Sequence, residues 1–145
     1  MKASRAQAIL FVIFLASLVL QILIGILSYV ERAIIGADLS TLTLKLLAIY
    51  SVPLAVILAG IFAKPSKKAG KAATATGSQM TAYSAIVLAA FWNVLLLARS
   101  LFFGYAVFNQ AVDDNINQLV SFLDTTSTAS SFLIAGALAF FFTKQ

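Results

Sequence analysis

Long apolar stretches separated by short polar ones set the pattern of this chain. The first covers 6–30, with Ser17, Gln21 and Ser28 among its few polar positions. About 20 mainly apolar residues suffice to cross a bilayer core, so the stretch predicts a spanning helix. A secretory signal would have a shorter apolar region and a small-residue cleavage site. This run ends in Leu27-Ser28-Tyr29-Val30-Glu31-Arg32 instead, so it is expected to be retained, with Tyr29 as an interfacial anchor.

A mixed connection over 31–43 contains Gly36 and two candidate N-caps, Asp38 and Ser40. The second predicted span, 44–63, carries Lys45 near one end and Pro53 in its middle. Proline removes a backbone donor and kinks a helix, which neighbouring helices can accommodate. Ser51, Ala55 and Ala59 lie four apart and make a ridge of small residues, the kind that lets membrane helices approach closely. The linker 64–79 follows, with Lys64, Lys67, Lys68 and Lys71 beside the helix-breaking Pro65, Gly70 and Gly77.

The third span, 80–103, places Asn93 inside an uncharged stretch and Arg99 near its end. Unpaired amides and guanidinium groups are costly in lipid, so each is expected to face protein, water or the interface. Apolar residues continue to Phe108, and Ile116, Leu119, Val120 and Leu123 then follow helical spacing. These runs predict an external helical hairpin over about 101–124, a candidate contact for an external partner. The alternative is a loop lying flat on the membrane, with Phe102, Phe103 and Phe108 as anchors. The last span, 125–143, is hydroxyl-rich in its first half and carries a second small-residue ridge, Ser131, Ala135 and Ala139. No internal repeat or coiled-coil heptad is visible.

If the chain crosses four times, Lys2, Arg5, the four loop lysines and Lys144 fall on one side. Arg32, Lys45, Arg99 and all five acidic residues mark the other. By the positive-inside rule both termini are cytoplasmic. The expected fold is therefore all-α: a single membrane domain, an antiparallel bundle of four transmembrane helices, in a bacterial inner membrane.

Composition sharpens this picture. Hydrophobic residues make up 61% and charged residues 10% of the chain, against about 45–50% and 25% in soluble domains. There is no cysteine and no histidine, which removes the commonest nucleophile, general base and soft-metal ligands. No glycine-rich phosphate loop is present, so an enzyme is not expected and no cofactor or metal is implied. The net charge of +5 is explained by placement along the chain, and nucleic acid is not an expected partner.

Counting at about 1.5 Å per residue gives each polar group a depth from the cytoplasmic ends. Gln21, Asn93 and Thr128 fall at about 22, 18 and 22 Å, and with Ser131 they form an expected intramembrane polar layer. Lys45, Arg99 and Asp124 fall at about 27–28 Å and share the outer interface. The first layer reads as interhelical hydrogen bonding or as the lining of a solute path. In the second, Arg99 either snorkels or pairs with Asp124. The lysine loop serves topogenesis, and it could also hold anionic lipid or an acidic partner.

The function expected from these features is non-catalytic: a sensor, adaptor or accessory subunit acting as a homo-oligomer or in a hetero-complex. Small four-helix proteins in bacterial toxin immunity and stress or phage defence offer an analogy of topology, which no residue motif here carries further. The alternative class is an oligomeric ion- or solute-conducting pore.

Overall fold

The computed structural model is all-helical and describes residues 3–62, 75–109 and 116–143. The side chains of 3–4, 75–82, 129–133, 135 and 139–143 are not part of that description. The helices are α1 (Ala3–Val30), α2 (Gly36–Phe62), α3 (Ala75–Phe108) and α4 (Ile116–Thr143). The lysine loop, Lys64 to Lys71, lies outside the described residues.

α1 and α2 are joined by a tight turn. Ala33 N–H bonds to Ser28 O (3.0 Å) and Arg32 N–H to Tyr29 O (2.9 Å), while Arg32 adopts φ 59°. This is the bond pattern that closes a helix through a left-handed residue, a position usually held by glycine. α2 then begins at Gly36, earlier than the apolar pattern suggests. The Asp38 carboxylate accepts the Ile35 N–H at 3.3 Å, so Asp38 caps the helix from inside its first turn rather than as the N-cap itself. The backbone groups thus find partners before the apolar run begins.

Registers between helices can be read from their contacts. Gln7 reaches Gly60 O, Ser17 meets Tyr50, and Gly25 lies against Leu42, so α1 and α2 are antiparallel. Phe14 meets Trp92, Gln21 meets Ser100, and Ile24 meets Gly104, so α1 and α3 are parallel. α4 packs against α2 and α3. Among the described residues no backbone approach joins α1 to α4 or α2 to α3, so these pairs lie on the diagonals. α2 and α3, consecutive in sequence, are thus diagonal in space.

One regularity was hidden in the sequence. α1 buries Ala6, Leu10, Phe14, Ser17, Gln21 and Gly25, and α3 buries Ala85, Ala89, Asn93, Leu96, Ser100 and Gly104 in the same spacing. Gln21 and Ser100 are 79 residues apart and bonded, as are Lys45 and Asp124. The α1–α2 hairpin therefore stacks beside the α3–α4 hairpin with matched heights. Residue types differ at equivalent places, Phe14 against Asn93 for instance, so only the packing repeats.

Among the described residues, three helices are long and apolar enough to cross a membrane: Arg5–Val30, Gly36–Phe62 and Tyr83–Phe108. Side chains 129–133, 135 and 139–143 of α4 lie outside the described residues, and its stretch 125–142 carries no charged residue. Large apolar side chains such as Val12, Val52, Val87 and Phe91 point outward at more than half exposure. Such a surface suits lipid, and with three helices long and apolar enough to span a bilayer it suggests a membrane protein.

At the far end, α3 continues to Phe108 and α4 begins at Ile116, both within the stretch expected to form a hairpin, whose link 110–115 lies outside the described residues. Phe103, Ala106, Leu119 and Leu123 are buried there, while Phe102 and Phe108 are exposed. The apolar positions of the amphipathic run are thus part of the bundle core.

Candidate functional site

The centre of the bundle holds a cluster of polar side chains from three helices. Gln21 Nε2 donates to Tyr50 OH at 2.6 Å and is 3.2 Å from Ser17 Oγ. Ser17 Oγ and Tyr50 OH are 2.8 Å apart. On the other side Ser100 donates to Gln21 Oε1 at 3.0 Å and is also 3.1 Å from Leu96 O. Ser17, Gln21, Tyr50 and Ser100 are all buried. Gln21 and Ser17 are one helical turn apart, so α1 presents both to the tyrosine. The amide thus joins α1 to α2 through its nitrogen and α1 to α3 through its oxygen.

Below this cluster Phe14, Tyr50 and Trp92 form an aromatic group, with ring centroids 5.5–6.1 Å apart. Offset and edge-on arrangements at such distances are attractive beyond simple burial. The rings reach across the diagonal between α2 and α3 and fill the middle of the bundle.

Gln21 and Asn93, expected at one level, do not come together. The depth count started α1 at residue 6 and α3 at residue 81, whereas the matched register sets Gln21 beside Ser100. Asn93 therefore lies nearly two turns, about 10 Å, from that level. Its Nδ2 donates to Ala89 O at 2.7 Å, and its buried Oδ1 has no hydrogen-bond partner among the described residues. Ser131 and the Ala135 and Ala139 side chains lie outside the description. Thr128 is exposed and lines a cleft.

That cleft, of about 430 Å³, opens on the flank of the bundle between α2 and α4. Ala48, Val52, Pro53 and Ile134 form its walls, Trp92 closes its floor, and Ser127 and Thr128 add hydroxyls. Lys45 and Asp124 stand at one end, joined by a 2.8 Å ion pair with side chains 39% and 54% exposed. Pro53 matters here because it has no N–H to give the Ile49 carbonyl, and Ile49 also lines the cleft. This volume lies in the range of small-ligand sites, about 300–1,000 Å³.

Of the two alternatives for Arg99, the pair with Asp124 is not found among the described residues. Asp124 pairs with Lys45, and the Arg99 guanidinium lies 5.8 Å from the Phe102 ring and 5.9 Å from the Phe122 ring. A cation held near two ring faces gains from their quadrupoles while its stem covers apolar surface. The Ser51, Ala55 and Ala59 ridge faces away from the bundle, all three being exposed.

What sequence reasoning missed is the part played by Tyr50, Ser17 and Ser100. An isolated tyrosine or serine within an apolar run carries no mark of its partners. Compared with protein-family models, characterised proteins and solved structures, the chain finds no match.

Proposed function

We propose that this is a four-pass integral membrane protein of a bacterial inner membrane, with both termini and the lysine loop cytoplasmic. It acts without catalysis, as a sensor, adaptor or accessory subunit of a membrane complex. The observation that supports this reading is the use of the buried polar groups. Gln21, Ser17, Tyr50 and Ser100 are turned on one another and tie three helices together. Such bonds are worth about 0.6–2 kcal/mol each in membrane helices, enough to fix a bundle. A conducting path through one chain is not supported, because Phe14, Tyr50 and Trp92 fill the centre.

The outward Ser51-Ala55-Ala59 ridge and the lateral cleft then offer surfaces for other molecules. The fourth crossing is argued from charge placement along the chain and from the packing of α4 beside α2. A pull-down in mild detergent, followed by mass spectrometry, tests the reading. A stoichiometric membrane or cytosolic partner is the expected result. Ion flux from the purified protein alone in liposomes would instead favour an oligomeric pore.

A further inference from the structure

We infer that the cleft between α2 and α4 binds one acyl chain of a zwitterionic phospholipid, with the headgroup on Lys45 and Asp124. The inference rests on the membrane reading above. The chemistry of the cleft divides along its length. At the mouth stand a primary ammonium and a carboxylate, 2.8 Å apart and both partly exposed. Further in, the walls are apolar, from Ala48 and Val52 to Ile134, and Trp92 forms the floor.

This division matches an amphiphile entering from the side. The outer positions of Lys45 and Asp124 correspond to the interfacial level, and the apolar walls lie towards the bilayer centre. A headgroup carrying a phosphate and a tethered ammonium complements the pair at both charges. Phosphate faces Lys45, ammonium faces Asp124, and the four charges alternate. A purely anionic headgroup would gain Lys45 but meet the Asp124 carboxylate. Occupation would also give the cleft walls the contacts that an open cavity lacks.

The chain contains a single tryptophan, and it is the floor of this cleft. Trp92 is only 3% exposed and lines the cleft, so a quenching group comes into contact with it by entering the cleft. The full-length protein is placed in bilayers containing increasing fractions of lipid brominated on its acyl chains, either phosphatidylethanolamine or phosphatidylglycerol. Trp92 fluorescence should be half-quenched at about fivefold lower fraction of the zwitterionic lipid, the effect of one charge contact near a membrane surface, here the headgroup ammonium on Asp124. Ala48→Phe, which fills the cleft from an exposed position, should abolish that difference. Asp124→Asn should turn the preference towards phosphatidylglycerol.

A Trp92→Phe/Val19→Trp variant reports on the outer face, since Val19 is 47% exposed. Quenching there should be strong and equal for both lipids. If it is quenched while Trp92 does not distinguish the headgroups, or if Ala48→Phe changes nothing, the cleft proposal is overturned and the membrane reading stands. If position 19 is not quenched by either lipid, the membrane reading itself fails, and the cleft proposal with it.

Discussion

Gln21 on α1 and Tyr50 on α2 meet through a 2.6 Å hydrogen bond, while the other end of the same amide takes a hydrogen bond from Ser100 on α3. One side chain therefore fixes the register of three helices. Tyr50 contributes twice, through its hydroxyl and through its ring against Phe14 and Trp92. Tyr50→Phe should cost about 1 kcal/mol, the worth of a polar contact between membrane helices. Tyr50→Ala should cost about 3–5 kcal/mol, because it also leaves a cavity. Unfolding in mixed detergent, followed by Trp92 fluorescence, measures both. Equal losses would show that the ring contributes nothing beyond the hydroxyl.

Close helix approach predicts a contrast between two glycines. A Cβ at Gly104 would come within 3.2 Å of Ile24 Cγ2, whereas one at Gly136 would meet nothing within 4 Å. Gly104→Leu should destabilise by about 1–3 kcal/mol through overpacking. Gly136→Ala should be neutral or stabilising by up to about 1 kcal/mol, since alanine favours a helix interior. The same unfolding measurement applies, and an equal response at the two sites would contradict the α1–α3 packing.

The turn after α1 predicts a gain. Arg32 holds φ 59°, where a side chain is strained and glycine is not. Arg32→Gly should raise stability by about 1 kcal/mol. Arg32→Ala keeps the strain and should give no such gain. Thermal unfolding of the two variants side by side tests whether the backbone, rather than loss of the charge, is responsible.

The proposed topology makes a prediction for α4. Reporter fusions after residues 72 and 145 should behave as cytoplasmic, and fusions near Gly36 and Asn115 as external. A cytoplasmic signal near Asn115 would remove the fourth crossing, leaving α4 outside the spanning set.

Assembly can be tested at the outward ridge of α2. Ala55 is exposed, so Ala55→Leu should leave monomer unfolding unchanged within about 0.5 kcal/mol. If copies of the chain or a partner helix pack on this ridge, the added bulk should break the complex. Native mass measurement in mild detergent and in nanodiscs reads this directly. A monomer under every condition, together with no partner in the pull-down, rules the ridge out as an interface.

The apolar runs by themselves determined that α1, α2 and α3 would be helices long enough to cross a membrane, because length and hydrophobicity are local properties of the chain. They also marked Lys45, Arg99 and Asp124 as neighbours in height, since a helix converts residue number into distance. The helix ends were less legible. α2 begins at Gly36 because Asp38 and the Arg32 turn satisfy the backbone, and both act outside the apolar pattern. Partner choice was decided only by tertiary structure. Depth counting could not show that Gln21 faces Ser100 rather than Asn93, because an error of a few residues in register exchanges one side chain for another a turn away. Nor could it show that Asp124 takes Lys45 while Arg99 lies by Phe102 and Phe122. Those choices depend on which faces of the four helices meet, and that is settled by packing across the whole bundle.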